Sequence, residues 1–392
     1  ENCPGDHSIR DGQRDPGQIA AGSASRRPGE RPGRGLRFMR AVGDVFGQQR
    51  FHPLKVNCLL PRVDSLPGMS NGWTSEDIPD QSGRIAVVTG GNSGIGLIEC
   101  RELARHGARV ILACRNQQKG EAAVAKIRQA LGSAGNDAQI EVRQLDLASL
   151  DSIRKFADSF ASDYPEGLDV LINNAGVMAP PRLETEDGFE LQIGTNHLGH
   201  FALTGRLFDS LKKKPDSRVV TVSSVAARMG KLNFDDLQSK QRYSRWPAYG
   251  QSKLANQVFA LDLQSLIGEA GLDMKSMAAH PGVSATNLTT AGNDLDSGLM
   301  GLLSKPFLKM NDLFIAQGAE AGALPVLRAA TDPDLAGGSY IGCDGRGQRR
   351  GKPVIVPPLK PALNHEIANK LWKASVEATG VDYDFTPVAK TA

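Results

Sequence analysis

Tyr249 and Lys253 stand four residues apart in YGQSK, a spacing that sets both side chains on one face of a helix. An ammonium beside a phenol favours the phenolate, so the pairing lowers the tyrosine pKa towards a working range. Such a tyrosine can hand a proton to a carbonyl oxygen while hydride reaches the carbon. On its own Y-x-x-x-K is ordinary, because tyrosines and lysines share helix faces in many proteins. It gains meaning from Ser223-Ser224, which end the apolar run SRVVTVS upstream, and from the turns that precede it.

The foremost of those turns is TGGNSGIG, Thr89 to Gly96, between the apolar run Ile85–Val88 and a stretch of helical composition. Strand, glycine turn and helix together give a dinucleotide-binding context. Gly90 allows the tight turn, Gly94 the close approach of a pyrophosphate, and Gly96 the packing of helix on sheet. Asn92, Ser93 and Ile95 complete the cradle, where helix N-terminal amides meet phosphate charge. The spacing is G-x-x-x-G-x-G, not the general G-x-G-x-x-G. At the end of the second apolar run, where NAD sites usually carry an acid for the ribose, stand Cys114-Arg115. A guanidinium there pairs with a 2′-phosphate, which selects NADP over NAD.

Asp146-Leu147 and Asn173-Asn174-Ala175-Gly176 follow at the ends of the third and fourth runs. Asp146 can accept from an adenine amino group, and NNAG sets small residues against a flat ligand. A helix cap and a plain turn are the alternatives. Asn196 lies in TNHLGHF, where Gly194 and Gly199 weaken the helix, so a local break freeing a backbone carbonyl is expected. His197 and His200 nearby are read as satisfied structural histidines.

The frame is an ordinary globular one, with net charge +3, 40% hydrophobic and 23% charged residues. The diffuse basic excess gives no nucleic-acid signature, and no apolar run reaches the roughly 20 residues needed to span a bilayer. Five scattered cysteines show no metal-ligand spacing and favour a reducing, cytoplasmic setting. Residues 1–68 are rich in Gly, Pro and Arg without apolar periodicity, so disorder is expected, with Met69 as a natural start. Their acids argue against a transit peptide.

Strands are predicted at 84–89, 108–114, 139–146, 168–173, 217–223, 272–280 and near 338–341. Helices are predicted at 94–106, 117–131, 149–163, 187–213, 247–269, 313–330 and 364–379. Apolar runs with little alternation indicate strands buried on both faces. The β-α rhythm therefore implies one Rossmann-type α/β domain: a doubly wound parallel sheet with helices on both faces, core about 82–381.

TGGNSGIG, LDLAS, NNAG, TNHLGHF, VTVSS, YGQSK and HPGVSATN, in this order, resemble the short-chain dehydrogenase/reductase superfamily over nearly all of 82–381. ILACRN, NHLGHF and the long stretch between serine and tyrosine are most similar to the retinol-dehydrogenase-like branch, which also resembles the WW-domain oxidoreductases. The resemblance implies interconversion of a lipophilic alcohol and its carbonyl, usually with NADP. It puts the proton donor on Tyr249, the lysine that also holds the nicotinamide ribose on Lys253, and the oxygen-orienting serine on Ser224. Asn196 falls on the asparagine that holds a relay water. Pro281, Gly282, Val283 and Thr286 fall on the loop over the nicotinamide amide. A homodimer through helices 187–213 and 247–269 is a family habit.

The substrate walls are expected from 178–189, 228–247 and 286–312, the last forming either a mobile apolar lid or a plain surface loop. The C-terminal GGSYIGCDGRGQRRGKPVIVPP is more similar to bacterial or algal homologues, so retinoid specificity does not follow. Two other readings stand beside the enzyme. An NADP-sensing regulator would lose the tyrosine or lysine, and both are present. A protochlorophyllide-reductase-like enzyme shares NHLGH and Y-x-x-x-K, but its cysteine-rich pigment-site features are missing.

Overall fold

In the computed structural model, residues 72–283 and 318–387 are described. The extension 1–68, Thr286 and the 286–312 wall lie outside them. Strand β1 (Ile85–Thr89) is buried at every position, as are β4 (Val170–Asn173), β5 (Ser217–Val222) and β7 (Tyr340–Cys343). That is what unalternating apolar runs demand of strands covered by helices on both sides. With β2 (Arg109–Cys114), β3 (Ile140–Gln144), β6 (Met274–Ala279) and β8 (Pro353–Ile355), they form one sheet in the order β3-β2-β1-β4-β5-β6-β7-β8.

The first seven strands run parallel. β8 does not: it returns antiparallel along β7, pairing Ile341 with Ile355. The expected doubly wound parallel sheet thus stands, with one antiparallel edge strand added to it. A three-residue strand opening on Pro353 has no periodicity to read, and proline is tolerated because the strand forms the edge.

Residues of β1 alternate between two cores. Ala86 and Val88 join Ile98, Leu103 and Leu112 beneath α1 (Gly94–Arg105) and α2 (Gln117–Leu131). Ile85 and Val87 join Phe156, Phe160 and Phe201 beneath α3 (Leu150–Asp163) and the central helices. β1 is followed by β2 on one side and β4 by β5 on the other, so the chain reverses direction across the sheet between β1 and β4. Ligands bind at such a switch point, beyond the carboxyl ends of the strands.

The segment predicted as one helix over 187–213 begins later and is broken. A turn, α4 (Leu191–Ile193), leads into a π-turn at Gly194–Leu198 and then α5 (Gly199–Lys212). Glu190 caps its start, accepting from the amides of Gln192 and Ile193, both at 2.9 Å. The longest helix, α6 (Arg245–Glu269), runs beside it, and α7 (Ala319–Thr331) covers the opposite face.

Helix α8 (His365–Thr379) packs on α5 and α6, the surface that the dimer expectation requires. Trp372 meets Phe201 edge-on at 5.1 Å, and the Tyr383 hydroxyl donates to the Phe201 carbonyl at 2.7 Å. Among the described residues, no helix is long and apolar enough to cross a membrane.

Candidate active site

The glycine turn adopts the backbone its composition allows. Gly90 and Gly94 have φ of +68° and +57°, a region costly for residues with a Cβ. A Cβ on Gly96 would lie 2.6 Å from Asn174 Nδ2 and 2.7 Å from the Gly90 carbonyl oxygen. The turn thus closes directly on the NNAG segment. Ser93 is exposed and Asn92 half-buried, while Ile95 is buried in the core beneath α1.

Thr89 makes the join between the two turns. Its Oγ1 accepts from the amides of Asn174 (2.9 Å) and Ala175 (3.0 Å), and its carbonyl accepts from Asn174 Nδ2 (2.8 Å). Asn173 instead points inward and donates to Thr204 Oγ1 at 3.0 Å. Arg115 is exposed at the end of β2, its carbonyl accepting from Gln144 Nε2 at 3.2 Å. Asp146 Oδ1 receives the Ala148 amide at 2.9 Å, while Leu147 is buried. Gly282, with φ +70°, donates to His280 Nδ1 at 3.2 Å, and Val283 donates to the Arg349 carbonyl at 2.7 Å. Pro281 is half-buried beside them.

Ser224, Tyr249 and Lys253 come together where β5 ends against the first turns of α6. Ser224 Oγ accepts from the Ala226 amide at 3.1 Å and stands beside the Tyr249 side chain. Burial pushes Tyr249 up to about 12, and the Ser224 contact pulls the other way. The expected lowering by Lys253 is absent. Lys253 Nζ donates to the Val222 carbonyl at 3.0 Å, and burial drives its own pKa down to about 8. Desolvation therefore dominates at both residues.

Asn196 sits in the π-turn, where the local break was expected. Its side chain pairs with both backbone groups of Val177, accepting at 2.8 Å and donating at 2.9 Å, and also donates to Ser252 Oγ at 2.9 Å. A Cβ on Gly176 would lie 3.0 Å from Asn196 Oδ1 and 3.5 Å from Lys253 Nζ. Asn196, Gly176 and Lys253 are therefore neighbours. The Asn196 carbonyl is met by His200 Nδ1 at 3.0 Å.

Two of the three expected walls are joined by contacts the sequence reading missed. Gln192 Nε2 donates to the Tyr243 hydroxyl and to the Arg245 carbonyl, both at 3.0 Å, while its Oε1 accepts from the Ala179 amide at 2.9 Å. Tyr243 donates to the Pro180 carbonyl at 2.8 Å. The only available signal was a tyrosine inside the stretch between serine and tyrosine motifs. Trp246 faces Tyr249 edge-on at 6.3 Å and is 46% exposed. Ser252 was missed as well; Thr89 and His200 stand in recognised motifs, and His200 is satisfied at both nitrogens as expected, but their mutual contact was not foreseen.

Residues 84–295 match the short chain dehydrogenase family. Human retinol dehydrogenase 12 is 41% identical over 302 residues, covering 77% of this chain and 88% of that protein. Mouse polyprenol dehydrogenase is 38% identical over 352 residues, covering 88% and 96%. A solved structure of an uncharacterized Mycobacterium paratuberculosis protein is 43% identical with a TM-score of 0.64, covering 80% of this chain and 99% of that one. The matched region spans the glycine turn, the π-turn and the Ser-Tyr-Lys cluster, and the chain belongs to the short-chain dehydrogenase/reductase family of NAD(P)-using alcohol–carbonyl oxidoreductases, in its retinol-dehydrogenase-like branch.

Proposed function

We propose that the protein is an NADP(H)-dependent oxidoreductase interconverting a lipophilic alcohol and its aldehyde or ketone, with Tyr249 as acid and base. The observation that carries this reading is the gathering of Ser224, Tyr249, Lys253 and Asn196 at the carboxyl edge of the sheet, with Tyr249, Lys253 and Asn196 buried and Ser224 half-buried. The cradle fits a dinucleotide. Its glycines take φ values that side chains resist, and a Cβ at Gly96 would collide with the NNAG turn.

Gly90 to Gly96 and the amides opening α1 take the diphosphate, and Arg115 takes the 2′-phosphate. Asp146 and Leu147 border the adenine. Asn174 to Gly176 line the ribose side, Asn173 bracing them from within, and Pro281, Gly282, Val283 and Thr286 line the amide end. NADPH, when bound, supplies the hydride. Ser224 and Tyr249 grip the substrate oxygen, and Tyr249 gives it a proton in reduction or removes one in oxidation. Lys253 holds a ribose and restores the tyrosine's proton, with Asn196 positioning the path from solvent.

An apolar substrate is supported by Leu183, Met229 and Trp246, exposed by 39%, 59% and 46% on the wall segments. The relatives named for retinol and polyprenol support it too. A cytoplasmic setting is supported by three free buried cysteines, Cys100, Cys114 and Cys343. A homodimer would need a surface other than the one under α8.

The deciding experiment is NADPH oxidation with retinal, long aliphatic aldehydes, steroid ketones and quinones. Turnover of at least one apolar carbonyl, faster with NADPH than NADH, is expected. NADPH binding without turnover of any of them would leave the sensing reading in its place.

A further inference from the structure

His200 is fully enclosed, 1% exposed, and the proposed chemistry does not use it. Its ring spans two segments far apart in sequence. Nε2 lies 2.9 Å from Thr89 Oγ1, at the end of β1, and Nδ1 lies 3.0 Å from the Asn196 carbonyl, in the π-turn.

The proton positions follow from counting. Thr89 Oγ1 already accepts from the amides of Asn174 and Ala175, which occupies both its lone pairs. Its one hydrogen can go to His200 Nε2 at 2.9 Å or to the Ile172 carbonyl at 3.2 Å. If it went to Ile172, Nε2 would have to donate to an oxygen with no lone pair left. The hydroxyl therefore donates to Nε2, and a neutral ring carries its hydrogen on Nδ1 and gives it to Asn196. Burial, with Lys253 and His197 acting in the same direction, holds the ring's pKa down at about 3, against the pull of the Asn196 carbonyl.

One imidazole thus ties the glycine turn, the NNAG turn and the Asn196 turn into a directed chain, from backbone amides through Thr89 and His200 to the Asn196 carbonyl. We infer that His200 is a positioning residue: it fixes the π-turn that sets the Asn196 side chain beside Lys253 and, through Thr89, the NNAG turn against the dinucleotide cradle. The inference rests on the proposed function only for the roles of those two ends.

Two conservative replacements separate the arms. His200→Asn retains an N–H near Nδ1 and loses the group facing Thr89. His200→Gln retains an acceptor near Nε2 and loses the donor to Asn196. Misplacing a reacting group by an ångström can cost about 100-fold. His200→Gln should therefore lower kcat by about 10- to 100-fold with NADPH affinity within about threefold of the parent. His200→Asn should weaken NADPH binding by about tenfold and hold kcat within about threefold. A histidine that merely fills space would lower the melting temperature in both variants and leave kcat and affinity per folded molecule unchanged. That outcome would overturn the inference.

Nitrogen NMR of the imidazole tests the geometry without turnover. His200, assigned by its loss in His200→Gln, should be the neutral Nδ1–H tautomer down to pH 5. An Nε2–H tautomer refutes the chain of bonds even if the enzyme is active. If no carbonyl is turned over but the tautomer and the NADPH effect of His200→Asn hold, the proposed function fails while the Thr89 arm stands.

Discussion

Replacing Tyr249 by Phe removes one oxygen, and the structure allows its two costs to be separated. The fold loses at most its polar contact with Ser224, and a full hydrogen bond there would be worth about 0.5–1.5 kcal/mol. Ser224 still accepts from the Ala226 amide at 3.1 Å, and the ring keeps its buried packing. The melting temperature should therefore fall by no more than about 6 °C. The reaction loses its positioned acid, worth about 10²–10⁴-fold, or about 3–5 kcal/mol of transition-state stabilisation. Burial holds the tyrosine's pKa far above neutrality, so the phenol is the form present at pH 7. The protonated form needed for reduction is thus fully present in the free enzyme, whereas alcohol oxidation should rise steeply between pH 7 and 9. The assay is loss of NADPH absorbance with a carbonyl the parent reduces well, alongside a separate NADPH titration. We expect kcat down at least 100-fold and NADPH affinity within about threefold. A Phe variant keeping a third of the parental kcat would refute Tyr249 as the proton donor.

Arg115→Ala should weaken NADP binding about tenfold and leave NAD nearly unchanged, since one charge-assisted contact is worth about 1.5–3 kcal/mol; equal losses in paired titrations would show that the guanidinium does not read the phosphate. Gly96→Ala puts a methyl 2.6 Å from Asn174 Nδ2, and calorimetry should find about 1–3 kcal/mol of lost stability together with at least tenfold weaker NADPH binding. Burial lowers the pKa of His197 to about 4, His200 to about 3 and His280 to about 4, from 6.5. Below 6.5 the unfolded chain binds more protons than the folded one, so this stability is fully present above 6.5 and is lost towards pH 3–4. Circular dichroism should show cooperative acid unfolding in that window, and His197→Gln should make the pH dependence shallower; an unchanged slope would count against a neutral buried His197.

Much of this was legible because the motifs report on backbone. TGGNSGIG needs left-handed φ at Gly90 and Gly94, and only glycine offers it cheaply, so the turn is written into the residue types. The break at Asn196 was legible in the same way, from glycines at both ends of a poor helix former. Side-chain partners were less so. The ionisation of Tyr249 depends on how dry its surroundings are, and spacing alone reports only that Lys253 shares its helix face. Likewise nothing in TNHLGHF says that its second histidine reaches back to Thr89, 111 residues earlier. Such a contact is fixed by the strand order, not by local pattern. Strand β8 was lost because three residues are too few to show a period.

The Tyr383 clasp has a consequence for synthesis on the ribosome. Its ring lies tilted 5.0 Å from that of Phe201, the neighbour of His200, and its hydroxyl closes on the Phe201 carbonyl. A nascent chain that has emerged only as far as Thr379 has already made every strand of the sheet, yet Phe201, Phe208 and Phe259 still lack Tyr383 and Phe385 as cover. Each such aromatic left wet forgoes about 1.5–3 kcal/mol. The cover over α5 is therefore supplied by residues synthesised after every strand, and a chain shortened to Thr379 should be cut by protease at α5 sooner than the full chain.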